Sequence, residues 1–235
     1  MRARYCFLAV VLLGPVAAPA QLLVWDVSGQ NPSGSLTATT IASGLQSGSG
    51  FNALTRNGVV YASAASSFNS SNWTNSASLD MGSANSISFT LAPLSGYQLT
   101  LSSLQFAMWG SSTAPKNGVW AYRIDNGAYT TLGTTTLGSS ASTLTSLNFG
   151  SDATLTSAQS ITLAFFSYGA GTAGSIGGAS AVGSGGTIRI GNITGNDLVV
   201  NGSLTAVPEP STYAAIIGGI TLAAAVWRRR RLGGA

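Results

Sequence analysis

Histidine is absent from the 235 residues, and cysteine occurs once, as Cys6. Without histidine the commonest general base and metal ligand is missing, so neither a Ser-His-Asp nor a Cys-His catalytic device can be assembled. Cys6 sits inside an N-terminal apolar run and precedes most of it, the wrong order for a lipoprotein signal. Beyond it the chain has no disulfide, thiol nucleophile or cysteine metal site. Charge is scarce as well: Asp, Glu, Lys and Arg make up 7% of the chain, against roughly 25% in an average globular domain.

The few charges are unevenly placed. Arg2 and Arg4 open the chain and Arg228, Arg229, Arg230 and Arg231 stand near its end, so the formal net charge of +4 belongs to the two ends. Between Gln21 and Ala206 four bases (Arg56, Lys116, Arg123, Arg189) meet five acids (Asp26, Asp80, Asp125, Asp152, Asp197), a balance of −1 with no glutamate. No basic stripe is available to neutralise phosphates, and nucleic acid is not an expected partner. Glycoside hydrolysis needs two carboxyls, which folding could bring together, but five scattered aspartates read more simply as turn and cap residues. A calcium site near Asp152 or Asp197 would lack any D-x-D-x-D-G loop. The glycines of Gly169–Gly186 do not follow a phosphate-loop pattern and read as a long flexible loop. No catalytic residue, metal or cofactor is expected.

What is present begins with two end segments. Met1–Arg4 is basic, Tyr5–Val16 is apolar, and Ala17-Ala18-Pro19-Ala20 follows. A positive start, an apolar run of about a dozen residues and an A-x-A site are the parts of a secretory signal. Cleavage is expected after Ala20, with Ala18 and Ala20 fitting the peptidase and Gln21 as the new first residue. The run is too short for a membrane anchor, and two arginines separated by Ala3 do not make a twin-arginine signal.

At the other end Val207-Pro208-Glu209-Pro210-Ser211 is followed by an uncharged, mostly apolar stretch to Trp227 and then by four arginines. The two prolines deny the chain a helix before Ser211, which can cap the helix that follows. Ser211–Trp227 is 17 residues, roughly 26 Å as helix, slightly short of a bilayer core. Trp227 at the interface and snorkelling arginines would cover the deficit, with the arginines cytoplasmic and Pro-Glu-Pro on the exported side.

This order of elements resembles the PEP-CTERM sorting signal, a tail also catalogued as the ice-binding protein C-terminal domain. The resemblance covers about 26 residues, 207–232. It implies a substrate of an exosortase, a membrane protease resembling transpeptidases, in a Gram-negative bacterium that makes exopolysaccharide. It further implies that Pro208, Glu209 and Pro210 are the recognition element and that Arg228–Arg231 stop translocation. An ordinary C-terminal anchor with a proline-rich hinge is the plainer alternative.

The segment between, 21–206, alternates with period 2. Ile87, Phe89 and Leu91 alternate with Ser88 and Thr90, and Tyr97, Leu99 and Leu101 with Gln98 and Thr100. Trp120, Tyr122 and Ile124, then Ile161, Leu163 and Phe165, repeat the pattern. Each run places one face in a core and the other in water. Asn126-Gly127 between β-rich flanks signals a hairpin. Further strands are expected at Leu22–Val27, Val59–Ala62, Leu104–Trp109, Thr187–Ile190 and Leu198–Leu204, with Thr130–Thr145 able to extend a sheet edge. Ser33–Gly50 and Ser63–Ser78 read as loops. The expected fold is all-β, an antiparallel sandwich of the jelly-roll kind, with a cleavable signal helix before it and a transmembrane helix after it. No fixed-period repeat supports a solenoid.

Trp73 lies in the polar run Asn69–Asn75 and has two readings. It could stack on a sugar ring as an exposed platform, or fold back over the sandwich edge, which is preferred. Trp109, Trp120 and Tyr122 lie on strand patterns and read as core. Ice binding would need a flat threonine array that Thr134-Thr135-Thr136 does not supply. The sequons at Asn69, Asn72, Asn192 and Asn201 reflect composition. The expected function is a non-enzymatic, exported surface or matrix protein associated with exopolysaccharide, with signal peptidase and exosortase as processing partners and the membrane as a transit compartment. The alternatives are a carbohydrate-binding or adhesin-like module, a permanently anchored membrane protein, and a secreted glycoside-active enzyme.

Overall fold

The period-2 runs become strands with one buried face. The computed structural model describes residues 20–74, 76, 78–82, 85–138, 144–150, 153–169, 186–191, 193, 195–207 and 210–232. The signal segment with Ala18, the sorting residues Pro208 and Glu209, Asp152, and all of the glycine-rich loop between Gly169 and Gly186 lie outside the described residues. In chain order the first strands are β1 (Ala20–Trp25), β2 (Leu36–Thr37), β3 (Thr40–Ile41), β4 (Ala53–Asn57), β5 (Val60–Tyr61), β6 (Ser67–Ser71), β7 (Ser86–Leu91) and β8 (Tyr97–Phe106). After them come β9 (Met108–Gly110), β10 (Asn117–Ile124), β11 (Thr130–Thr136), β12 (Thr145–Asn148), β13 (Thr154–Leu155), β14 (Ile161–Tyr168), β15 (Ile188–Gly191) and β16 (Leu198–Ala206), then the helix α1 (Pro210–Leu232).

Three antiparallel sheets form. The first runs β12-β8-β16-β1-β3 with β13 also on β8, the second β11-β10-β14-β7-β4-β2, and the third, four-stranded, β5-β6-β15-β9. The fold is therefore all-β and sandwich-like. The first two sheets meet through aromatic rings. Trp25 of β1 lies 4.7 Å from Phe89 of β7, and Phe106 of β8 lies 5.8 Å from Trp120 of β10. Trp120 also meets Phe165 within the second sheet, the rings tilted and 5.5 Å apart. Such pairs contribute about 0.5–1.5 kcal/mol each beyond the area they bury. Phe68, Ile188 and Ile190 of the third sheet join the same continuous core, so the third sheet closes the sandwich and is no separate unit.

Several expectations are corrected. Leu104–Trp109 is not one strand: β8 continues from Tyr97 to Phe106, and β9 belongs to the third sheet. The break falls at Ala107, whose N–H donates to the Asp197 carbonyl and whose own carbonyl accepts the Gly191 N–H, tying two sheets together. Ser63–Ser78 is not all loop, because β6 crosses it with Ser67, Asn69 and Ser70 buried. The Asn126-Gly127 hairpin forms, but β10 ends at Ile124 and β11 starts at Thr130, so a longer loop replaces the two-residue turn. Asp125 takes the left-handed conformation there, with φ 51°.

The tail is corrected too. Helix α1 begins at Pro210, ahead of Ser211, since proline is tolerated in a first turn where its missing N–H would have no intrahelical partner. It runs through the arginines to Leu232, yet no helix among the described residues is long and apolar enough to cross a membrane. Gly218, Gly219 and Thr221 dilute its apolar stretch, and arginines fill its last turns.

Candidate functional site

The outer face of the second sheet carries a groove of about 660 Å³. Its floor consists of side chains that the alternation turns away from the core. Asn57 of β4 faces Ser86 of β7, and Thr90 of β7 faces Thr162 of β14 in register. These groups bond laterally. Asn57 Nδ2 donates to Ser88 Oγ at 2.8 Å and to Ser86 Oγ at 3.2 Å, while the Thr90 and Thr162 hydroxyls lie 2.9 Å apart. A hydroxyl donates once and accepts twice, so this ladder still has donors and acceptors left for a ligand.

Two loops wall the groove. Met81 and Gly82 form one side, on a turn fixed by the Gly82 N–H donating to Asp80 Oδ1 at 2.8 Å. The β10–β11 loop forms the other with Gly127, Ala128 and Tyr129. Tyr129 folds onto the sheet, edge-on to Phe166 with ring centroids 5.2 Å apart. Phe166, Val119, Ala121 and Ala164 make a small apolar cluster of their own on this outer face, partly covered by Met81 and Tyr129.

Arg123 is next to Thr162 in the register and extends the row that starts at Thr90. Its guanidinium lies over the Tyr129 ring at 4.9 Å, a cation–π contact that fixes the head group. Nε is buried with no hydrogen-bond partner among the described residues. Among the described residues Arg123 is the one charged side chain in the lining, and no carboxylate stands there.

The residues expected to carry function fall elsewhere. Trp73 is only 4% exposed, donates its indole N–H to the Ser70 carbonyl at 2.8 Å and meets Phe165 edge-on at 5.8 Å. Its ring faces the core, as the preferred of its two readings has it, and the exposed sugar platform falls away. Ala20 and Gln21 are exposed at the start of β1. Val207 is exposed directly after β16, and its N–H donates to the Gly96 carbonyl at 2.8 Å. Pro210 and Ser211 open α1, and Arg228, Arg229 and Arg230 are exposed on it; Arg231 lies in the same helix.

The described aspartates hold turns. Asp26 accepts the Ser28 N–H at 2.9 Å, and bonding to Ser28 lowers its pKa. Asp125 accepts the Ser160 N–H at 2.8 Å. Asp197 is fully buried and accepts the N–H groups of Val27 (2.8 Å) and Ile193 (3.3 Å). Burial raises its pKa, against the pull of those two bonds. No group of three or more histidine, cysteine or acidic side chains able to hold a metal occurs among the described residues.

No protein-family model matches this chain, and no curated protein does either. The groove could not be read from sequence because its residues come from four strands and two loops. Arg123 beside an Asn-Gly hairpin, with Tyr129 just after it, was the one local signal.

Proposed function

We propose that this chain is an exported cell-surface or matrix protein, non-enzymatic, associated with exopolysaccharide, and trimmed at both ends by signal peptidase and an exosortase. The observation that carries the reading is where the fold stops. The ladder of β16 on β8 ends at Ala206 opposite Tyr97, and the Val207–Gly96 hydrogen bond follows it. The Val-Pro-Glu-Pro-Ser motif starts at that same residue. From Ala214 to Arg230 every side chain of α1 is exposed, so this stretch of the helix contributes nothing to the core. Cutting near Pro208-Glu209-Pro210 would leave the sandwich whole.

The N-terminal junction is consistent with this. Ala20 pairs with Gly202, four positions before β16 ends. Antiparallel pairing thus puts Ala20, the first described residue, near the end of the first sheet where β16 stops. A helix that falls short of a full span holds a bilayer weakly, which suits a temporary hold before cleavage better than a permanent anchor. The finer topology we propose is a jelly roll with an added third sheet, supported by the chain's repeated crossing between the first two sheets from β7 to β16.

Intact-mass analysis of the protein recovered from the cell surface or medium tests the reading. The expected species begins at Gln21 and lacks Trp227 and the arginines. Retention of Trp227 and the arginines would overturn exosortase processing, and a species beginning at Met1 would overturn the signal peptide.

A further inference from the structure

The groove has a chemistry that narrows what can fill it. Its floor is a sheet face whose backbone groups are already paired along the ladders, so a peptide strand could not add to it by backbone bonding. Its polar floor does not suit a purely apolar ligand. A lone arginine does not supply the several phosphate contacts that nucleic acid requires. Hydroxyl and amide groups below, with a tyrosine ring and a methionine at the sides, match a ligand that alternates hydroxyls with apolar ring faces.

Arg123 refines the class. Its guanidinium carbon sits over the Tyr129 ring at 4.9 Å and its Nε is enclosed. Its terminal N–H groups make no hydrogen bond to another described residue, and no carboxylate lines the groove. A guanidinium held over an aromatic ring and lacking an acidic partner among the described residues is prepared for a carboxylate brought by the ligand.

We propose that this groove binds a polysaccharide bearing carboxylate groups, with Arg123 receiving the carboxylate, Asn57, Ser88 and Thr162 meeting sugar hydroxyls, and Tyr129 bounding the ring. Binding depends on the groove alone; only the natural source of the polymer rests on the export reading. A protein that keeps its tail yet binds the polymer would lose that reading and retain this one.

The test is affinity electrophoresis of the full chain through gels containing polygalacturonate or alginate, and through gels containing the same polymers with their carboxyls reduced. Because Arg228–Arg231 could attract any polyanion, a variant with all four changed to Gln is run beside the natural chain. The expected result is retardation of both proteins by at least one acidic polymer, with binding at least about tenfold weaker to the reduced form, as loss of a charge-assisted hydrogen bond implies. Arg123→Met should weaken binding by a similar factor and Arg123→Lys by less. Ser88→Trp, which fills the groove from β7 and leaves Arg123 in the sequence, should abolish it in a protein that still unfolds cooperatively, and keeps the test decisive if Arg123→Met fails to fold. The proposal is overturned if neither acidic polymer is bound, if retardation follows the tail arginines, if the reduced polymers bind equally well, or if a folded Ser88→Trp protein binds as the natural chain does.

Discussion

The Asp197 carboxylate accepts the backbone N–H of Val27 at 2.8 Å, across 170 positions of sequence. The same carboxylate accepts the Ile193 N–H, so a single buried acid joins the end of β1 to the turn before β16. These are the two strands that pair at the centre of the first sheet. Asparagine at this position keeps one acceptor but turns an NH2 toward the second N–H. Asp197→Asn should therefore cost about 1–3 kcal/mol.

The pH dependence of that loss is also fixed. The folded pKa of Asp197 is raised above its ordinary 3.8, chiefly by burial. The folded state thus holds a proton that the unfolded chain has released in the window just above pH 3.8, and the proton-linked part of the acid's contribution to stability is lost as pH rises through the folded pKa. Asp26 acts with the opposite sign. Its pKa is lowered, so its contribution is present above 3.8 and lost as pH falls through the folded value. Denaturant midpoints measured from pH 3 to 7 should show the natural chain's advantage over Asp197→Asn greatest near the acid end of the window and shrinking as pH rises. An advantage that grows with pH would mean the carboxylate is not desolvated.

Arg56 joins the second and third sheets to the loop after β1. Nε donates to Ser70 Oγ at 2.9 Å, Nη2 to the carbonyls of Asn69 (3.0 Å) and Pro32 (3.1 Å), and Nη1 to that of Gly34 (2.9 Å). Its guanidinium carbon also lies 3.7 Å from the centre of the Phe68 ring. Burial lowers its pKa to about 10, which leaves it charged at neutral pH. Lysine has one compact head group and cannot reproduce a planar fork stacked on a ring. Arg56→Lys should cost about 1–3 kcal/mol and Arg56→Ala about 2–4 kcal/mol. Hydrogen exchange should speed up around residues 32–34 in both; unchanged exchange there would show the loop to be held by other contacts.

Trp73 gives a prediction that separates its two sequence readings. As a buried ring hydrogen-bonded to Ser70, it should lose about 3–5 kcal/mol on change to Ala and much less on change to Phe. Equilibrium denaturation measures both. A Trp73→Ala protein with natural stability would place the indole on the surface after all.

The contrast between strand β6 and the run around Trp120 shows what the sequence could and could not disclose. Trp120 stands in clean alternation, and such runs (Ile87-Phe89-Leu91, Ile161-Leu163-Phe165) are buried on the expected side. Burial on one face is a local consequence of period 2. Strand β6 escaped because its buried residues include Ser67, Asn69 and Ser70, whose burial depends on partners in β15 and on Arg56 from β4. The break at Ala107 was hidden for the same reason, since its bonds go to Asp197 and Gly191, far along the chain. The groove is entirely of this non-local kind. Asn57, Ser88, Thr162 and Arg123 come together only through register across four strands.

The boundary of the fold can be tested by shortening the chain. Ending it after Val207 keeps the Val207–Gly96 hydrogen bond and the pairs Leu204–Leu99, Thr205–Gln98 and Ala206–Tyr97, and removes only residues from Pro208 on. The exposed side chains of residues 214–230 leave no core contact to lose, so the melting temperature should move by no more than about 2 °C. Ending the chain after Ser203 removes those three pairs and Leu204, which packs against the core. It also uncovers Leu99, which is fully buried in the intact chain. Loss of that packing should cost about 2–4 kcal/mol, and the melting temperature should fall well beyond the first truncation. If both truncations lowered it equally, α1 would be part of the structure, and a tail meant for removal could not be one on which the fold depends.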